Sequence, residues 1–139
     1  MDEITLKLCD IQGRLFELSA KRSYDSAAFI KTFMLSKTAR ALDSNYNRMQ
    51  WAGEEYLLDE VAAEASIPIS MDIFSNEVLY WCGYVYRYWH YYTQENSAAI
   101  YRQAPAETMK RNYFMFHTMD PTLAIINLKE IHTQKKRKS

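Results

Sequence analysis

Apolar residues Ile4, Leu8, Ile11, Leu15 and Leu18 recur at steps of four, three, four and three. That spacing puts them on one stripe of a helix and predicts a first element over about residues 3–21, with a face that needs a partner surface. Phe29, Ile30, Phe33 and Met34 follow Asp25 and Ser26, either of which can cap a second helix, and Ser36 opens a short third one through Leu42. Residues 43–47 (DSNYN) are turn formers and read as a polar loop. Beyond Trp51, the stretch 53–65 places Leu57, Val61 and Ala65 inward at steps of four, while Glu54, Glu55, Asp59, Glu60 and Glu64 face water.

The pattern breaks at Ile67-Pro68-Ile69, because proline disfavours helix at the residue before it, and a weak internal boundary is expected near 66–72. Asp72 or Ser75 then caps a helix that runs to about Thr93, roughly 28 to 33 Å long at about 1.5 Å per residue. Eight of the thirteen residues in 80–92 are aromatic, so this helix must be covered on most sides and is expected at the centre of the molecule. Trp81, Val85, Tyr88, Trp89 and Tyr92 share one face, suited to a core. Leu79, Cys82, Gly83, Tyr86 and His90 share another, where Gly83 permits a close helix contact.

Ser97 opens a short helix through Arg102. Pro105 with Glu107 opens the next, carrying Met109, Tyr113 and Phe116 inward. Asp120-Pro121, cap followed by proline, begins a last helix with Leu123, Ile126, Leu128 and Ile131. Three glycines and few alternating apolar runs leave little room for strands. The expected fold is all-α: a single compact domain over residues 1–133, with six to eight short helices around the aromatic one, and a basic flexible tail at 134–139.

A chain of 139 residues can bury a core without disulfides or metals. Cys9 and Cys82 sit in apolar helical contexts without CxxC spacing, so buried thiols in a reducing cytoplasm are expected. The start, MDEITLKLCD, lacks a basic segment followed by an apolar one, and no signal peptide is expected. The aromatic run carries Arg87 and His90, which argues against a membrane span. Net charge is zero, yet Lys135, Lys136, Arg137 and Lys138 leave residues 1–134 with thirteen basic against seventeen acidic side chains, a mildly acidic body of −4. A nucleic-acid binder presents a concentrated basic face, and here only the tail does so, which leaves DNA binding through that tail as the last-ranked class.

His90, His117 and His132 show no metal-ligand spacing, and no phosphate loop, nucleophile elbow or paired-carboxylate arrangement is present, so no metal or cofactor is expected. The string Arg111-Asn112-Tyr113-Phe114-Met115-Phe116-His117 resembles the Arg-polar-x4-His signature of HEPN-type helical ribonucleases. The resemblance implies metal-independent RNA cleavage with Arg111 and His117 as catalytic residues, brought together across a homodimer. Six positions apart on one helix, the two side chains sit roughly 120° apart and about 9 Å along the axis, too far to form one site alone. The structural alternative is Arg111 as a surface cation and His117 as a helix-end cap.

Residues 29–43 (FIKTFMLSKTARALD) followed by 48–56 (RMQWAGEEY), together with 86–93 (YRYWHYYT) followed by 113–120 (YFMFHTMD), resemble small helical proteins of bacterial toxin-antitoxin-like cassettes, some encoded beside toxins of ADP-ribosyltransferase type. The resemblance implies an antitoxin-type protein that neutralises a partner without chemistry of its own. No ribbon-helix-helix or helix-turn-helix reader accompanies it. Tyrosine and tryptophan are enriched at interface hot spots. The expected partner-binding residues are therefore Trp81, Tyr84, Arg87, Trp89, His90 and Tyr91 of the aromatic helix, with Arg111 and His117.

Overall fold

The computed structural model describes residues 1–45 and 47–138, so Tyr46 of the predicted loop and Ser139 of the predicted tail lie outside the described residues. The expected all-α class is found. The elements are α1 (Glu3–Lys21), α2 (Ser26–Met34), α3 (Lys37–Asp43), a 3-10 turn (Arg48–Trp51), α4 (Glu54–Glu64), α5 (Asn76–Thr93), α6 (Ser97–Gln103), α7 (Ala106–Phe116) and α8 (Pro121–Lys138). Most begin where a short polar side chain can accept from a free backbone N–H: Asp2, Asp25, Ser36, Ser75 and Asn96 each accept from the residue three positions on. Asp120 accepts from Thr122 N at 2.9 Å just ahead of α8. The cap of α3 is reinforced from outside, because Glu64 at the end of α4 accepts from Lys37 N at 2.7 Å and Thr38 N at 3.0 Å. That acid, and Asp59 bonded to Arg22 at 2.6 Å, serve the fold as well as the acidic face of α4.

The most extensive helix contact joins α1 to α5. Gln12 and Gly13 meet Gly83, while Glu17 and Asn76 line one common cavity and Leu8 and Tyr91 another, so the pair runs antiparallel. No side chain fits at the crossing. A Cβ on Gly83 would fall against the Gln12 carbonyl and 2.9 Å from Gly13 Cα, and one on Gly13 would meet the Tyr80 ring at 2.7 Å. Around this crossing Phe16 packs edge to face on Phe29 and on Phe33 at 5.4 Å and reaches Tyr86 at 6.1 Å, and the layer continues through Leu57, Leu58, Trp89 and Met109.

Several predicted helix faces are rotated. In α1 the buried residues are Cys9, Gln12, Gly13, Leu15, Phe16 and Ser19, while Ile4 is exposed and Leu8, Ile11 and Leu18 are half-buried. Leu15 of the predicted stripe is fully buried, but the closest approach to α5 is made by Gln12 and Gly13. In α4 the inward set is Leu57, Leu58 and Val61, with Ala65 exposed. In α8 it is Ala124, Ile125 and Leu128, whereas Leu123 and Ile126 face outward. The basic residues 135–138, within the expected tail, continue α8 as helix.

The non-helical connection from α4 to α5 is fastened to the turn between α1 and α2. Asp25 N and Ser26 N donate to the carbonyls of Pro68 and Asp72 at 2.8 and 3.1 Å, and Phe74 N donates to Ser26 Oγ at 2.8 Å. Tyr24 and Ile69 form an isolated antiparallel bridge. Ile67 and Phe74 enter the same core as the helices on either side. Proline breaks the helix here as expected, and the chain uses the break to cross back over the first helices. Among the described residues no helix is long and apolar enough to cross a membrane.

Substituting Gly83→Ala should cost about 3 kcal/mol, the upper part of the overpacking range, because backbone atoms on α1 must retreat. Gly53→Ala, where an added Cβ meets nothing, should change stability by less than about 1 kcal/mol, and urea denaturation of the two variants measures both values.

Candidate functional site

The eight side chains expected on a docking surface divide between interior and surface. Arg87, Trp89 and His90 are buried, at 2 %, 0 % and 6 % exposure, and cannot contribute to a docking surface in this fold. Trp81 is buried at 9 % exposure, Tyr84 and Tyr91 are half-buried, and Arg111 and His117 are exposed.

Arg87 organises a buried polar cluster. Its Nη1 meets Asp43 Oδ1 at 2.7 Å, its Nε donates to Gln12 Oε1 at 2.8 Å and its Nη2 to Ser97 Oγ at 3.3 Å. Ser97 in turn donates to Asp43 from its backbone N–H and its hydroxyl, both at 2.8 Å, and Gln12 Nε2 donates to the Gly83 carbonyl at 3.0 Å. Asp43, assigned from sequence to a solvated loop, thus closes α3 as the counter-ion of a buried guanidinium. His90 Nδ1 donates to the Glu95 carbonyl at 2.6 Å and lies 3.7 Å from Asp43 Oδ1; burial, with Arg87 adding repulsion, lowers its pKa. Asp, His and Ser are the residue types of a hydrolase triad, but here the serine hydroxyl donates to the carboxylate and the imidazole is spent on a carbonyl. No nucleophile and base are paired.

A second cluster lies beside it. Glu95 accepts from Trp89 Nε1 at 3.0 Å, Gln103 Nε2 at 2.6 Å and Lys129 Nζ at 2.6 Å, joining α5, α6 and α8. Burial raises its pKa, and these hydrogen bonds outweigh that and hold it at about 2, against an ordinary 4.5. The thiols are inert by position: Cys9 and Cys82 are buried and free, and burial pushes Cys9 up to about 12 and raises Cys82 as well. Among the described residues no group of three His, Cys, Asp or Glu side chains is placed to share a metal ion.

The outer face of α5 opens a groove of about 560 Å³ against α7, the start of α8 and Glu17 of α1. Its walls are aromatic, from Tyr80, Trp81, Tyr84, Tyr113 and His117, and Glu17 and Glu77 stand at its rim. Trp81 meets Tyr113 edge to face at 5.7 Å, and Tyr113 stacks on His117 at 4.4 Å. His117 ends α7 as expected of a cap: its Nδ1 lies 2.9 and 3.0 Å from the carbonyls of Tyr113 and Phe114 and donates to them. Phe114, whose ring lies 6.4 Å from that of His117, is 82 % exposed, and Met115 is 68 % exposed. Arg111 is exposed on the same helix and does not line the groove. A scissile phosphate beside His117 would face the carboxylates of Glu17 and Glu77 without a lysine or arginine among the lining residues.

Of the predicted surface residues, the structure therefore brings Trp81, Tyr84 and His117 into one concavity. It adds Tyr80, Tyr113, Glu17 and Glu77, which the sequence reading had not selected for a site. Tyr80 and Tyr113 are in helical register with Tyr84 and His117, four positions away in each case, and that spacing was the available signal.

Replacing Asp43 by alanine should cost about 3–5 kcal/mol, since Arg87 would remain buried without its counter-charge. Chemical denaturation measures this directly. In acid, Glu95 contributes stability that is present above its unfolded pKa near 4.5 and is lost as pH falls towards about 2, because the unfolded chain takes up the proton first. Glu95→Gln should remove that part of the slope when melting temperature is followed from pH 6 down to pH 2. Neither a family profile, nor a curated protein, nor a solved structure matches this chain.

Proposed function

We propose that this chain is a non-catalytic protein-binding module of antitoxin type, a cytoplasmic bacterial protein that works by covering the active surface of a partner toxin. The observation that carries the reading is the convergence of Tyr80, Trp81, Tyr84, Tyr113 and His117 on one open groove, with exposed Phe114 and Met115 beside it. Three tyrosine rings there are only half-buried and His117 is exposed, and large aromatic side chains held at a concavity are the usual anchors of a protein interface. The polar clusters support the same reading: their serine, histidine and carboxylates are committed to one another inside the fold. The resemblance to small proteins of toxin-antitoxin-like cassettes supplies the class of partner. The buried free thiols accord with a reducing compartment.

Co-expression with the product of the adjacent reading frame tests this. The two proteins should co-purify in stoichiometric amounts, and growth arrest caused by the partner should be relieved. The double variant Phe114→Ala, Met115→Ala should weaken the complex by about tenfold or more with its circular dichroism and melting temperature retained, since both side chains are exposed. Absence of both association and relief would overturn the reading. An undiminished complex in the double variant would move the interface away from this face.

A further inference from the structure

The groove has a chemical preference that follows from its walls and rim. This inference rests on the docking reading and specifies what the partner presents: we propose that the groove receives a lysine or arginine side chain of the partner protein.

An aromatic ring offers a negative face and attracts a cation placed over it. Tyr80 and Tyr84, with ring centres 5.9 Å apart, and Trp81 with Tyr113, at 5.7 Å, line the space from two sides. The rim adds full charge. Among the described residues neither Glu17 nor Glu77 has an ion pair. Arg14 and Lys21 flank Glu17 about one turn away on α1, but Arg14 is held by Asp10 at 3.0 Å and neither reaches Glu17. The Tyr80 hydroxyl donates to Asp10, so that ring offers its surface to the groove and not a free donor. No lysine or arginine lines the space. A cation gains from every one of these groups, whereas an acidic side chain meets two unneutralised carboxylates and an apolar one leaves them without a partner. A volume of about 560 Å³ admits a long basic side chain with the backbone that carries it.

The test uses the purified full chain and three capped tripeptides, Gly-Arg-Gly, its citrulline counterpart and Gly-Glu-Gly, at constant ionic strength. The indole resonances of the three tryptophans provide the readout. The arginine peptide should shift Trp81 saturably and leave Trp51, exposed on the 3-10 turn, and Trp89, fully buried, in place. It should bind about fivefold tighter than the citrulline peptide, which keeps the shape and lacks the charge. The variant Glu17→Gln, Glu77→Gln alters only rim side chains and should reduce the arginine affinity about fivefold, bringing the two peptides together.

Equal binding of arginine and citrulline peptides, tighter binding of the glutamate peptide, or shifts confined to Trp51 would each overturn the proposal. Self-association of the chain that the arginine peptide dissolves would place the basic residues of a second copy in the groove and overturn the assignment to a foreign partner. Failure here is separable from failure of the docking reading. A partner lost in the Phe114→Ala, Met115→Ala variant but indifferent to the rim carboxylates leaves docking intact and removes the cation. Selective arginine binding without a partner does the reverse.

Discussion

The guanidinium of Arg87 is the constraint to which the rest of the packing answers. A charge with 2 % exposure is tolerable only when its hydrogen-bonding directions are filled and a counter-charge is near. Filling them takes Gln12 from α1, Asp43 from α3 and Ser97 from α6, three elements far apart in the chain. Gln12 reaches Arg87 only because α1 and α5 approach closely, and they approach closely only because Gly13 and Gly83 have no side chains. Backbone approach and buried charge are therefore one arrangement. Together they set the rotation of α5, which turns Arg87, Trp89 and His90 inward and leaves Tyr80 and Tyr84 on the side of the groove.

The same rotation explains how so aromatic a helix remains compatible with a single domain. One part of its circumference is occupied by the α1 crossing, another by Val85, Tyr86 and Trp89 in the core. The remainder carries Tyr80, Tyr84 and Tyr88, whose rings contact one another along the helix. α7 covers that remainder incompletely. Its Tyr113 reaches Trp81 while Phe114 and Met115 turn away, so the two helices enclose a space between them instead of a continuous core.

Helix number, order and limits were legible because caps and breakers are local: Asp25, Ser36, Ser75 and Asp120 act on backbone groups within a few residues of themselves. Which face turned inward was less legible. Hydropathy assigned α1 to Ile4, Leu8, Ile11, Leu15 and Leu18, of which Leu15 is fully buried, whereas the closest contact is made by Gln12 and Gly13, residues that a pattern of apolar positions passes over. α8 departs for a related reason, with Ala124 taking a buried place that Leu123 was expected to hold. Sequence pointed to Arg87 as the one cation in an aromatic helix but not to its partner, because choosing Asp43 among seventeen acidic residues needs the tertiary approach of α3. Of the candidate site, Trp81, Tyr84 and His117 were readable from residue type, and Glu17 was not, being far from them in the chain.

The separation along the chain of the groups at the α1–α5 crossing has a consequence for how the protein is made. Gln12 bonds to partners 71 and 75 residues downstream. Helical proteins of this size ordinarily complete themselves from contacts between neighbours in sequence, which is why they fold fast. Here the first helix is made long before α5, the helix with which it makes its most extensive contact. Synthesis through Arg87 is needed before Gln12 can meet its partner, so over those 75 residues the α1 surface lacks its main contact, and surface left uncovered in this way is exposed to misassociation.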